Sequence, residues 1–162
     1  MKKIILLIGI LLTVNSCSKK NETELTPLEQ LPEATQIGKN TFGCLINGEA
    51  YVINNTSKQV AIYQQGKLQF GGGGISMILE NALELNTNYD FINVGRARYY
   101  VNLNPQLGCH YEFEDTYAGK VTFTKIDRAN YIISGTFEFS TNKGGCEDIK
   151  ITNGRFDLKY IP

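Results

Sequence analysis

The sequence predicts an all-β protein, an antiparallel two-sheet sandwich or small barrel of about nine to ten strands, over residues 41–162. Three observations support this prediction. Apolar and polar residues alternate in short segments, and Asn-Gly pairs or glycine-rich stretches separate those segments. No segment has the 3.6-residue apolar stripe of an amphipathic helix. The alternation does not distinguish a sandwich from a barrel.

The first half of this domain is predicted to contain two hairpins and two further strands. Asn47-Gly48 is a strong type I′ turn signal between the first two strands. FGGGGI, residues 70–75, is expected to be a turn or bulge because no Gly-Lys-Ser/Thr follows it, as a phosphate-binding loop would require. The polar stretch 86–90 stays unassigned. The predicted strands are TFGCLI (41–46), EAYVI (49–53), QVAIY (59–63), KLQF (67–70), ISMIL (75–79) and ARYYVNL (97–103).

The second half shows clearer alternation. Phe156 and Leu158 are predicted to face the core, and Asp157 between them is predicted to face solvent. Asn153-Gly154 is predicted to turn the penultimate strand into the last one. The predicted strands are YEF (111–113), KVTFTKI (120–126), YIISGTFEFS (131–140), DIKIT (148–152) and RFDLKYI (155–161).

Residues 1–16 are predicted to be a signal peptide. Lys2 and Lys3 precede an apolar run over residues 4–12, broken only by Gly9, which is the layout of a secretory signal. A membrane-spanning helix needs about 20 apolar residues, and this run is shorter. The segment therefore predicts export rather than a permanent transmembrane helix.

A cysteine follows the apolar run directly. The sequence VNSC at 14–17 resembles the lipobox of bacterial lipoproteins. The resemblance implies cleavage before Cys17, attachment of a diacylglycerol to its thiol and often acylation of the new amine. Two acyl chains hold a protein stably on a membrane where one does not, so we expect Cys17 to anchor the mature chain. The alternative is a secreted protein in which this thiol is incidental.

Residues 17–40 are predicted to be the lipidated cysteine and a flexible tether. Residues 18–40 contain no aromatic residue, include Pro27 and Pro32, and are rich in Glu, Thr, Asn and Lys. Such a composition cannot bury enough apolar surface to offset the entropy lost on ordering. The folded part is accordingly predicted to be a single β-domain, residues 41–162.

The charge balance argues against a nucleic-acid partner. Without Lys2 and Lys3, the 16 basic residues of the chain fall to 14, against 16 acidic residues. Binding to nucleic acid requires clustered Lys and Arg side chains that replace counterions, whereas the four arginines are scattered along this chain. We therefore expect no nucleic acid among the partners.

Three cysteines remain in the domain, an odd count that suggests one bridge and one spare thiol in an exported protein. Cys44 shares strand parity with Phe42 and Ile46, so we expect it to be buried and free. Cys109 and Cys146 lie at predicted strand ends, where two chain segments can approach. We therefore favour a Cys109–Cys146 disulfide, worth about 4 kcal/mol in the chain-entropy model.

The strongest candidate for a ligand-binding surface is a stripe on the predicted strand 97–103 and the residue before it. Arg96, Arg98 and Tyr100 share one parity, and an Arg/Arg/Tyr stripe on an open sheet could stack on sugars or meet a protein partner. An ordinary solvent-exposed face with arginines lying along it explains the same pattern. The two interpretations stay open at this point.

No residue constellation has the spacing of a known catalytic set. Glu112 and Glu114 would share a strand face with Asp115 at its end, and such carboxylates could hold Ca²⁺ or act as an acid and base. A solvated polar face explains them as well. His110 is adjacent to Cys109, and neighbours in a strand point to opposite faces. We therefore expect no catalytic residue, no metal site and no cofactor.

Two longer motifs carry a further resemblance. ATQIGKNTFGCLINGEAYV (34–52), together with IISGTFEFS and IKITNGRFDLKYI within 132–161, is similar to small lipoproteins of the Bacteroidetes type. The resemblance implies a β-rich exported domain and transfers no functional residue.

The leading hypothesis is a non-enzymatic binding or scaffolding domain, tethered to the outer membrane by its lipid on the periplasmic or the surface leaflet. A glycan or small ligand is the first candidate partner. The alternatives are a structural or protein-interaction role and a carboxylate-based hydrolase that uses Glu112, Glu114 or Asp115.

Overall fold

The computed structural model describes residues 24–80, 84–102, 104, 106 and 108–162. These residues form two antiparallel sheets that do not close into a barrel. The all-β prediction is confirmed, and the structure selects the sandwich. Within the described ranges, no helix is long and apolar enough to cross a membrane. The predicted signal peptide and Cys17 lie outside the described residues.

The described residues contain eleven strands and two short 3-10 turns. The strands are β1 (Thr41–Ile46), β2 (Glu49–Ile53), β3 (Gln59–Gln64), β4 (Lys67–Gly72), β5 (Ile75–Glu80), β6 (Asn88–Asp90), β7 (Gly95–Tyr100), β8 (His110–Tyr111), β9 (Thr116–Asp127), β10 (Ile132–Thr141) and β11 (Ile149–Lys159). The six-stranded sheet has the order β2-β1-β11-β10-β9-β6, and the five-stranded sheet has the order β3-β4-β5-β7-β8. The 3-10 turns are Thr56–Lys58 and Phe113–Asp115.

Three tight turns join consecutive strands. Both central residues have positive φ at Asn47-Gly48 (50° and 92°), Gln65-Gly66 (53° and 78°) and Gly73-Gly74 (59° and 94°). Positive φ at both positions is the type I′ pattern, whose twist matches that of a hairpin. The two predicted hairpins and the turn in the glycine-rich segment are confirmed.

The predicted turn at Asn153-Gly154 is wrong, because β11 runs through it as one strand from Ile149 to Lys159. β10 pairs with both halves of β11. Phe137 pairs with Gly154 and Phe139 pairs with Ile151, so the register of the two strands shifts between these pairs. Asn153 has a φ of 52°, so the dipeptide forms a β-bulge. A side chain at Gly154 would collide with the Phe137 ring.

The core lies between the two sheets and is rich in aromatic rings. The ring of Phe70, from the five-stranded sheet, lies 4.8 Å from that of Phe156 and 5.8 Å from that of Phe123, both in the six-stranded sheet. Aromatic pairs at these centroid distances add stabilisation beyond their buried area. Cys44 is buried and free, as predicted.

The expectation of a flexible tether over 17–40 does not hold for residues 31–40, which lie against the six-stranded sheet; we call them the strap. Leu31 is 6% exposed, and Arg155 donates a hydrogen bond to the Pro32 carbonyl oxygen. Composition suggested disorder because the strap contributes few apolar residues. Polar contacts to the sheet order it instead.

Asp157 on β11 is the main attachment point of the strap. It was predicted to face solvent, but it is 1% exposed because the strap covers it. Its carboxylate accepts hydrogen bonds from Thr35 Oγ1 (2.6 Å), Ile37 N (3.1 Å), Gly38 N (2.8 Å), Lys39 N (3.0 Å) and, from β10, Ser134 Oγ (2.8 Å).

The predicted disulfide is confirmed. Cys109 and Cys146 are bonded, with the Cα atoms 6.1 Å apart. Cys109 directly precedes β8 at the edge of the five-stranded sheet, and Cys146 lies in the loop between β10 and β11 of the six-stranded sheet. The bridge therefore connects the two sheets at one end of the sandwich.

Candidate functional site

The predicted stripe is a feature of the outer face of the five-stranded sheet. Arg96, Arg98 and Tyr100 alternate along β7 with the buried residues Ala97 and Tyr99. The predicted parity is thus confirmed, and the three side chains share one face.

The stripe residues pack against one another and against two further rings. The Arg98 guanidinium carbon lies 4.8 Å from the ring centroids of both Tyr100 and Phe113. Arg96 lies 5.6 Å from the Phe113 centroid, and the His110 ring stacks on Tyr100 at 4.2 Å. We call these five residues the cation–aromatic ladder: Arg96, Phe113, Arg98, Tyr100 and His110.

Hydrogen bonds close the ladder around Glu112. The Tyr100 hydroxyl donates to the Glu112 carboxylate at 2.8 and 2.9 Å and accepts a hydrogen bond from Arg98 at 2.8 Å. Arg98 and Glu112 also form an ion pair at 3.5 Å. Burial and the hydrogen bond to Glu112 raise the pKa of Tyr100. Arg98 and His110 both pack on the Tyr100 ring, so this ring already has stacking partners within the chain.

Arg98→Lys is expected to lower the free energy of unfolding by about 1 kcal/mol, because the planar guanidinium packs on two rings and ammonium does not reproduce that geometry. Arg96→Lys is the matched control, since the Arg96 side chain is 53% exposed and contacts one ring. We expect it to change stability by less than about 0.5 kcal/mol. Equal urea midpoints for the two variants would contradict this role of Arg98.

The prediction that Glu112 and Glu114 share a strand face is wrong, because the predicted strand YEF ends at Tyr111 and a 3-10 turn follows. Glu112 belongs to the ladder. Asp115 accepts a hydrogen bond from the Glu112 backbone N–H at 2.8 Å and lies 3.6 Å from the Lys143 ammonium. Glu114 is exposed. Each of the first two carboxylates thus has a structural partner.

A groove of about 720 Å³ opens at the end of the sandwich, next to Tyr100. We call it the β2 groove, because the outer edge of β2 forms one wall. Tyr51 stands in this wall and donates a hydrogen bond to the Gly73 carbonyl oxygen at 2.6 Å. Val101, directly after β7, is 52% exposed at the groove. The lining residues are Tyr51, Val52, Ile53, Ser57, Lys58, Gln59, Val60, Gly73, Gly74, Tyr100, Val101 and Asn102.

The glycine-rich turn between β4 and β5 builds the floor of the groove. Gly73 N donates to the Lys58 carbonyl oxygen at 3.0 Å, and Tyr100 N donates to the Gly74 carbonyl oxygen at 3.1 Å. A side chain at Gly74 would collide with the Tyr100 carbonyl oxygen. Glycine is therefore required both for the positive φ and for this close approach.

A second cavity of about 420 Å³ lies beside the disulfide and shares Val101 with the groove. The Tyr99 ring lies between those of Tyr51 (6.5 Å, edge-on) and Tyr111 (6.3 Å, stacked). Burial, and then the neighbouring Tyr51, Cys44 and Tyr111, raise the pKa of Tyr99 to about 12. Tyr99 is thus a neutral phenol at neutral pH. The tyrosines give this end of the sandwich an aromatic lining.

Sequence reasoning identified Tyr100 but missed the rest of the groove. Tyr51 carried a partial signal, since it shares strand parity with the core residue Ile53 in EAYVI. Lys58, Val101 and Asn102 carried none, because the segment before β3 meets the segment after β7 only through the strand order of the five-stranded sheet. Phe113 was missed as a ladder residue because its segment was assigned to a strand.

Comparison with known proteins adds no family assignment. No protein-family model matches the chain, and no similar protein is found among the curated proteins or the solved structures.

Proposed function

We propose that this protein is a lipid-anchored, non-enzymatic component of the bacterial cell envelope whose sandwich binds a small ligand, with a glycan as first candidate, in the β2 groove. The observation that carries the proposal is the groove itself. Its volume of about 720 Å³ falls within the range of ligand sites, about 300–1,000 Å³. Tyrosine rings and apolar side chains beside Ser57, Lys58 and Asn102 combine apolar contact with hydrogen bonding, as sugars require.

The disulfide supports a location outside the cytoplasm. Disulfides persist in oxidising compartments such as the periplasm and the cell surface, and are rare in the reducing cytosol. The Cys109–Cys146 bond is therefore consistent with the export that residues 1–16 predict. Attachment to the outer membrane through Cys17 follows from the lipobox-like sequence.

The anchor is tested by Cys17→Ala in the full-length protein expressed in a bacterium that makes lipoproteins. We expect wild type to enter the detergent phase on phase partitioning and the variant to stay in the aqueous phase, because the acyl chains supply the membrane affinity. Mass spectrometry of the mature amino terminus provides the direct readout. A variant that partitions as wild type does would place the tether elsewhere.

The ligand site is tested by titrating the Cys17→Ala protein with oligosaccharides of glucose, xylose, mannose and N-acetylglucosamine, followed by amide NMR shifts. We expect shifts to cluster at Val101, Gly73 and Lys58 for at least one of them. Val101→Lys should weaken that binding by at least tenfold, about 1.4 kcal/mol, because it places an ammonium group in the groove.

Val94→Lys is the matched control for this substitution. Val94 is 45% exposed, similar to Val101, and it lies in the loop between β6 and β7, away from the groove lining. We expect it to bind as the parent does. Amide shifts confined to the outer faces of the sheets would contradict a ligand site in the groove. The same would follow if Val101→Lys and Val94→Lys weakened sugar binding equally. Absence of sugar binding together with retention of a protein partner would favour the interaction role instead.

A further inference from the structure

The chain before β1 approaches the sandwich on one particular face. The strap crosses the outer face of the six-stranded sheet, where a Cβ at Gly43 would meet the Pro32 ring and where Arg155 contacts the Pro32 carbonyl oxygen at 3.2 Å. The ladder residues Arg96 and Arg98 lie on the outer face of the other sheet. The amino-terminal connection therefore leaves the domain on the side opposite the ladder.

The docked strap shortens the connection to the lipid. If the whole segment 17–40 were free, it could extend to about 80 Å. The described part of the chain begins at Glu24, so only residues 18–23 lie between it and Cys17, a contour length of at most about 25 Å. The turn after Glu24 is compact, since Thr26 and Glu29 exchange hydrogen bonds as in a capping box.

Two leucines are exposed at the point where this connection meets the fold. Leu25 is 59% exposed and Leu28 is 45% exposed; Leu25 directly precedes the turn of residues 26–30 and Leu28 lies in it, close to the start of the described residues. Glu24 and Glu29 are exposed beside them, which disfavours contact with an anionic surface. The turn therefore fits the interface of a bilayer with zwitterionic headgroups, where the leucines leave water and the carboxylates stay in it.

We propose that the strap holds the outer face of the six-stranded sheet toward the membrane, with Leu25 and Leu28 contacting the headgroup layer, and directs the cation–aromatic ladder away from it. This inference rests on the proposed lipid at Cys17. In this orientation, the ladder face and the adjoining Tyr100 edge of the β2 groove are open to the compartment that the protein faces.

The test compares two single labels on the full-length, lipidated protein in phosphatidylcholine vesicles that carry a headgroup-attached quencher. Thr136→Cys places a fluorophore on the outer face of the six-stranded sheet, and Gln69→Cys places it on that of the five-stranded sheet. Cys44 does not compete for the label, because it is buried and burial raises its pKa to about 12. We expect quenching to be several-fold stronger at position 136.

The outcomes separate the orientation from the anchor. Protein that floats with the vesicles and is quenched equally at both positions, or more strongly at 69, would overturn the orientation and leave the anchor intact. Protein that fails to float would overturn the anchor, and the orientation with it. In the Leu25→Ser/Leu28→Ser variant, the difference between the labels should shrink. A variant that keeps the full difference would refute the leucine contact.

Discussion

Asp157→Ala is expected to destabilise the protein by about 3 kcal/mol and to detach the strap from the six-stranded sheet. The carboxylate accepts five hydrogen bonds, four of them from the strap. A buried donor left without its acceptor costs about 1–3 kcal/mol. The total destabilisation is expected to be smaller than the summed cost of five unpaired donors, because the strap donors become hydrated once the strap detaches from the sheet.

The effect is measured by urea denaturation and by trypsin cleavage after Lys39 in the strap. Cleavage should be much faster in the variant, since a protease requires a detached, extended segment. Asp148→Ala is the control, because this aspartate is exposed, and we expect it to change stability by less than about 0.5 kcal/mol. If Asp157→Ala has the urea midpoint and the trypsin cleavage rate of wild type, Asp157 does not attach the strap to the sheet.

The same contact predicts a dependence of stability on pH. Burial alone would raise the pKa of Asp157, but hydrogen bonds from Thr35, Lys39, Ser134 and Gly38 outweigh it and lower the pKa to about 2. A carboxyl with a lowered folded-state pKa stabilises the protein above its unfolded value, near 4. That stabilisation is lost as the pH falls from about 4 to about 2. The loss should be smaller in Asp157→Asn, measured over the same pH range.

Removal of the disulfide in Cys109→Ser/Cys146→Ser is expected to cost about 4 kcal/mol. The bridge joins residues separated by 37 positions, and in the chain-entropy model it restricts the unfolded chain by about that amount. It also holds β8, a strand of two residues that pairs with the end of β7. The variant should therefore also show faster amide exchange at His110 and Tyr111.

A reducing agent provides the matched control for this prediction. A thiol reductant should lower the urea midpoint of wild type to that of the variant and leave the variant unchanged. Cys44 is free and buried in the folded protein, and both proteins retain it. Equal midpoints for wild type and variant under oxidising conditions would show that the bridge contributes nothing to stability.

Local chemistry accounts for the features that sequence reasoning predicted correctly. Asn47-Gly48 formed a hairpin because both residues readily adopt positive φ, and that choice depends on two residues only. Arg96, Arg98 and Tyr100 share a face because side chains alternate along any strand. The pairing of Cys109 with Cys146 was favoured because the sequence places both near the ends of predicted strands, and in the structure one directly precedes β8 and the other lies in the loop before β11.

The errors arose where packing by distant segments overrides a local preference. Asn153-Gly154 has the same turn chemistry as Asn47-Gly48, yet it forms a bulge because β1 and β10 pair with β11 on both sides of it. Asp157 has the parity of a solvent-facing residue, but a segment more than 100 positions earlier in the chain covers it.

The sequence by itself determined the fold class, the first two hairpins and the common face of the stripe, because alternation and turn chemistry act between near neighbours; it favoured the correct cysteine pair without deciding it. Only the tertiary structure decided that the sheets stay open as a sandwich, that the strap docks on Asp157, that the stripe closes into a ladder and that the β2 groove exists. These features depend on contacts between residues far apart in the chain, and strand parity and turn preference carry no information about which distant segments meet.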